Sequence, residues 1–277
     1  MAERNIRLTL AYDGTDFEGW QVQKRGRTVQ GVIEEGLQRM HGHPVRVLAA
    51  GRTDSGVHAT GQVASFRTDI DSISGSRFRD AVNSYLPFDV RVLSSAEVDG
   101  SFHARRSARR RVYRYYTVCG PVLLPHLRNY RHWVRRSPDL ARLNEMASVL
   151  VGQHDFTCFS AEGDANHSKV RRVDVSAFHR EGDTLVYTIA ASSFLWKMVR
   201  TIMGTLFTLE EQGMGARELR LIMDAGSRAN AGATAPARGL FLERVVYDPG
   251  CDVEEGLVEE AESPGGLADD GLFPTAP

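Results

Sequence analysis

Apolar and polar residues alternate over residues 6–12 and then meet Asp13-Gly14, which predicts a strand ending in a turn. Val29, Ile33, Leu37 and Met40 share one helical face, with Thr28 placed to cap it. Residues 45–50 and 62–66 read as strands on either side of a Gly-rich loop. Phe78, Val82 and Tyr85-Leu86 mark a short helix stopped by Pro87, and residues 90–98 a fourth strand. The resulting order, β-α-β-β-α-β, is that of a ferredoxin-like unit.

The second half repeats this order without a residue-level repeat. Residues 112–118 alternate as a strand. Ser137-Pro138-Asp139 reads as an N-cap, an N1 proline and a first-turn acid for a helix carrying Leu140, Leu143, Met146 and Leu150, with Gly152 as its stop. Residues 172–178 and 185–190 form a hairpin around Glu181-Gly182-Asp183. A long apolar helix at 194–209, a shorter one at 219–223 and a closing strand at 240–247 complete the pattern. The expectation is an α+β protein with two ferredoxin-like units, mainly antiparallel sheets and a cleft between them for a site. The division expected is 1–105, 106–247 and a tail at 248–277.

Charge changes the picture. The chain has 34 Lys+Arg against 35 Asp+Glu, a net charge of -1 that taken alone argues against a polyanion partner. Residues 248–277 hold nine of those carboxylates and no Lys or Arg, leaving residues 1–247 with 34 basic against 26 acidic residues, a net +8. That tail also has five Gly and four Pro and is expected to be disordered. Residues 101–136 contain ten arginines and no acid, interleaved with Tyr113, Tyr115, Tyr116, Tyr130 and Trp133. Clustered arginine with stackable rings fits nucleic acid, or more plainly a solvated basic face.

Cys119, Cys158 and Cys251 are widely spaced and give neither a zinc motif nor a disulfide framework. The N-terminus enters a strand-like segment with no apolar signal region, and no apolar run reaches the ~18 residues of a membrane span. A cytoplasmic protein is expected.

The most unusual string is Gly51-Arg52-Thr53-Asp54-Ser55-Gly56-Val57-His58-Ala59. Its glycine spacing imitates a P-loop, but Val57-His58 stands where Lys-Ser/Thr is required. No G-x-S-x-G occurs. His41-x-His43 and His154-Asp155 lack a plausible set of further ligands, so no metal is expected. Asp54 remains, either as a turn cap or as an ionised carboxylate kept so by Arg52, able to act at an anomeric carbon.

Seven motifs in order then resemble the A type of tRNA pseudouridine synthase, from about Ile6 to Tyr247. They are Tyr12-Asp-Gly-Thr-Asp-Phe-Glu-Gly-Trp20-Gln21, Gly51-Arg-Thr-Asp-Ser-Gly-Val-His58, Phe102-His-Ala-Arg105 and Tyr113-Arg-Tyr115. Gly152-Gln-His-Asp-Phe156, Phe194-Leu-Trp-Lys-Met-Val-Arg200 and Ala235-Pro-Ala-Arg-Gly-Leu240 follow.

The resemblance implies the pseudouridine synthase fold and isomerisation of uridine at positions 38, 39 and 40 of the tRNA anticodon stem-loop, with no cofactor. It implies Asp54 as the catalytic aspartate, Arg200 as its partner, and Arg52 filling the space left by the flipped base and pairing with Asp54. Tyr113 stacks on the uracil, and Leu240 packs either on the base or in the core. Lys24, Arg25, Arg27, Arg105, Arg109, Arg110, Arg111 and Arg114 are the candidate tRNA contacts. A homodimer is implied. Trp20, Phe17 and the His154-Asp155-Phe156 run read as packing. A pure RNA-binding module leaves the carboxylate unexplained; a hydrolytic nucleosidase leaves the extent of basic surface unexplained.

Overall fold

The alternation at the start of the chain is carried into the structure, a computed structural model that describes residues 3–248. In β1 (Arg4–Tyr12), Ile6, Leu8, Leu10 and Tyr12 are all buried. The Thr28 hydroxyl accepts from the Gly31 N–H and caps α1 (Val29–His41), which buries Val29, Ile33 and Leu37 and ends on Gly42 in the left-handed region. The strand expected at 45–50 shrinks to β2 (Leu48–Ala49). Residue 47 is claimed instead by α1: Glu34 Oε1 accepts from the Val47 N–H at 2.9 Å, and Gln30 Nε2 donates to the Val47 carbonyl. Then come β3 (His58–Thr68), longer than expected at both ends, α2 (Phe78–Asn83) and β4 (Val90–Val98).

The second half opens with β5 (Arg110–Cys119), followed by β6 (His132–Val134), a short strand parallel to β5 that the sequence pattern does not reveal. Helix α3 (Leu140–Val149) is capped by Asp139, whose Oδ1 accepts from the Ala141 and Arg142 N–H groups. Pro138 therefore precedes the cap rather than filling the first helical position. The short polar strand β7 (Gly152–Asp155) leads to the hairpin of β8 (Val170–Glu181) and β9 (Thr184–Ala191), turning at Glu181-Gly182-Asp183 as expected. The long apolar helix starts later than expected, as α4 (Met198–Glu211), and α5 (Ala216–Ala225) and β10 (Leu240–Val246) close the fold.

The ten strands of the described residues join one sheet, mostly antiparallel, whose main path runs β4-β1-β3-β10-β5-β9-β8-β7. The architecture is α+β. The two halves meet where β10 runs parallel to the first residues of β3, pairing Phe241 with His58 and Leu242 with Ala59. Gly61 permits this approach, since a side-chain carbon there would lie 2.0 Å from the Glu243 carbonyl oxygen. The seam places the start of β3, and so the loop before it, against the second half. Among the described residues no helix is long and apolar enough to cross a membrane. Of the tail expected at 248–277, residues 249–277 lie outside the described residues.

Candidate active site

The loop joining β2 to β3 is fixed almost residue by residue. Ala50 accepts at its carbonyl from Nε and Nη2 of Arg111, at 3.3 and 2.8 Å. Gln62 Nε2 donates to the Gly51 carbonyl at 2.9 Å, and the Tyr12 and Thr53 hydroxyls share a buried hydrogen bond of 2.9 Å. Burial pushes the Tyr12 phenol up to about 12, so it stays neutral. The Trp20 N–H donates to the Thr53 carbonyl, while Ser55 Oγ and the Gly56 N–H both donate to the Phe17 carbonyl. Trp20 and Phe17, each 2% exposed, are packing residues that hold this loop. At its end, buried His58 accepts at Nδ1 from the Gly14 N–H and faces the Asn129 carbonyl through Nε2.

So held, the loop presents Asp54 to two donors from the second half. Oδ2 accepts from Arg200 Nη1 and Oδ1 from the Trp196 indole N–H, both at 3.1 Å. Arg200 lies on α4, where its Nε donates to the Ala235 carbonyl at 2.8 Å and its own carbonyl accepts from the Ala235 N–H. Gly204, one turn on, lets residues 233–235 lie against the helix; a side-chain carbon there would stand 1.7 Å from the Ala233 oxygen. A cation on so apolar a helix needs a nearby anion, and Asp54 supplies it.

Tyr113 on β5 is 7% exposed, with its ring edge-on to Phe194 at 5.1 Å. Burial, then the neighbouring Tyr12 and the Asp54 charge, raise its phenol well above the ordinary range. Leu240 is buried at the start of β10, in register with Tyr115.

A family profile described as tRNA pseudouridine synthase matches residues 9–105 and 146–248. The tRNA pseudouridine synthase A of Treponema denticola is 48% identical over 250 residues, covering 88% of this chain and 93% of that protein. That of Halalkalibacterium halodurans is 43% identical over 242 residues, covering 87% and 92%. That of Brachyspira hyodysenteriae is 39% identical over 244 residues, covering 88% and 98%. The chain belongs to the tRNA pseudouridine synthase family. Like other pseudouridine synthases, it is an isomerase.

Asp54, Trp196, Arg200 and Leu240 lie in the two matched segments of this pseudouridine synthase, and Tyr113 lies between them. Two expectations fail. Arg52 does not pair with Asp54: it is exposed and makes no ion pair among the described residues, the carboxylate being taken by Arg200 and Trp196. Arg111 is no RNA contact. It is buried and donates to the carbonyls of Ala50, Arg105, Ala108 and Ser192, tying the Asp54 loop to the segment before β5 and to the loop before α4.

Other basic candidates of the synthase are already engaged. Arg27 forms a two-pronged pair with Asp89 and lies over the Phe17 ring at 4.1 Å. Arg109 pairs with Asp248, Arg110 with Asp174 at 3.0 Å and Arg114 with Glu243 at 2.6 Å. Lys24, Arg25 and Arg105 are exposed and make no ion pair among the described residues. Sequence reasoning passed over Trp196, although the aromatic pair of Phe194 and Trp196 next to Arg200 was its signal. It also passed over Asp164, whose Oδ2 accepts from the Trp196 backbone N–H at 2.6 Å.

Proposed function

We propose that this chain isomerises uridine to pseudouridine in tRNA, at positions 38, 39 and 40 of the anticodon stem-loop, with Asp54 as the catalytic carboxylate. The observation that carries this reading is the Asp54 carboxylate, held at both oxygens by Arg200 and Trp196 beside Tyr113 at the seam of the two halves. In the reaction the N1–C1′ bond breaks and a C5–C1′ bond forms. C5 loses a proton and N1 gains one, so atoms and electrons balance without a co-reactant.

Asp54 enters as nucleophile at C1′ or at the base, or as base on the ribose, and each route begins from the ionised carboxylate. The target nucleotide leaves its stack, at a cost of a few kcal/mol. Tyr113 stacks on the uracil, Leu240 packs beside it, and Arg52, exposed and unpaired among the described residues, enters the vacated space.

Lys24, Arg25 and Arg105 are free to meet phosphates. We further read residues 1–105 and 106–247 as two ferredoxin-like domains, supported by the strand orders β4-β1-β3-β2 and β10-β5-β9-β8. The enzyme is proposed to act in the cytoplasm as a homodimer with tRNA across both subunits. Carbodiimide-blocked primer extension on tRNA transcripts treated with the protein tests the substrate assignment. The expected stops fall at positions 38–40; release of free uracil would favour a hydrolytic nucleosidase instead.

A further inference from the structure

Two donors hold Asp54, and they differ in how they are themselves held. Arg200 sits on a helix, is 15% exposed at its side chain, and spends its Nε on the Ala235 carbonyl. Its single contact at Oδ2 fixes one end of the carboxylate and leaves rotation about the side-chain bond open. Trp196 closes that freedom from the other end, through Oδ1.

The chain arranges this at some expense. Trp196 is 48% exposed, unusual for so large an apolar ring. The next residue, Lys197, is the only non-glycine with positive φ among the described residues, at 60°, and its ammonium lies 5.0 Å from the Trp196 ring centre. That backbone turn keeps residues 194–197 off the start of α4 and aims the indole at Asp54. Asp164 then pins the Trp196 backbone N–H, and is itself gripped by Lys169 at 3.1 Å and by the Asn166 backbone N–H at 2.8 Å. Burial opposes ionisation of Asp164, but the bonds from Asn166, Trp196 and Lys169 prevail and hold it well below the usual carboxylate range. Asp164 thus serves as an anchor in its charged form.

We infer that Trp196 is a positioning residue for the reaction: its indole N–H sets the orientation of the Asp54 carboxylate, and Asp164 sets the orientation of Trp196. A carboxylate oxygen has a second lone pair, so Oδ1 keeps this bond while it reacts. The inference rests on the reading of Asp54 as the catalytic group.

Trp196→Phe keeps the ring and removes the donor. It is expected to lower kcat about tenfold with KM for tRNA within about twofold, since orientation is lost and binding is not. Asp164→Ala, which keeps the indole but frees its backbone, lowers kcat in the same direction and stands in if Trp196→Phe does not fold. A second readout is free of activity. The chain has three tryptophans, and the indole N–H resonance missing in Trp196→Phe should shift in Asp54→Ala while the Trp20 and Trp133 resonances stay. Wild-type kcat in both variants, or an unmoved Trp196 resonance in Asp54→Ala, overturns the inference. Full activity in Asp54→Asn would instead bring down the reading of Asp54 itself.

Discussion

The loop at 51–58 carries two formal charges, Arg52 and Asp54, whereas the segment at 101–136 carries ten arginines. By charge the second should matter more to a polyanion. The fold reverses the weighting: Asp54 is bound at both oxygens, while Arg109, Arg110, Arg114 and Arg136 are paired with acids and Arg111 is buried on carbonyls. A run of arginine in sequence is a supply of cations, and the partners that decide their use lie 61 residues away for Arg111 and Ala50. The two stretches also meet, because Arg111 clamps the entrance to the Asp54 loop.

The largest effect expected from this comparison is on stability. Arg111→Met strands four carbonyls and should cost about 3–5 kcal/mol, read as a lowered urea midpoint. Arg111→Lys should recover less than half, because a lysine lacks the planar fork. If Arg111→Met keeps full stability and only weakens tRNA binding, the division of labour among the arginines is wrong.

A smaller effect separates free from engaged cations. Arg25→Ala and Arg105→Ala should each weaken tRNA binding severalfold and flatten its salt dependence by about one unit of slope. Arg27→Ala and Arg110→Ala should leave that slope unchanged, their charges being matched by Asp89 and Asp174. Equal effects from all four would erase the distinction.

The smallest effect compares buried His58 of the first stretch with half-buried His132 of the second. Burial lowers His58, but Asp13 opposes it; burial lowers His132 to about 4, and Arg238 adds to it. Both take up protons more readily when unfolded. The contribution of each is therefore complete above the ordinary value near 6.5 and is lost as pH falls below it, for His132 down toward about 4. His132→Phe should flatten the decline of the unfolding midpoint across that window. A decline identical to wild type would show that His132 has no part in it.

Much of this was legible in sequence, and what was not has particular causes. Alternation marked β1 and β5, whose apolar positions are buried, Glu181-Gly182-Asp183 marked the β8–β9 hairpin, and the motif strings singled out Asp54, Tyr113 and Arg200, which the fold brings together. The start of α4 was misread because Leu195, Met198, Val199 and Ile202, all buried, keep the helical period across a backbone that turns at Lys197. Trp196 was hidden by that false continuity. Strand β2 fell short because side chains of α1 satisfy the Val47 backbone. The Arg52–Asp54 pair was inferred from nearness in sequence, and the true partner of Asp54 stands 146 residues away.

The central proposal is that Asp54 does the chemistry, with Arg52 entering the vacated space and the rest of the loop holding the carboxylate in place. Single-turnover conversion of a uridine-labelled tRNA by Asp54→Asn, with binding measured on the same preparation, tests this most directly. The account predicts wild-type folding and tRNA affinity within about twofold, with conversion slower by on the order of 10⁴-fold or more. Conversion within tenfold of wild type by a folded, tRNA-binding Asp54→Asn would contradict it.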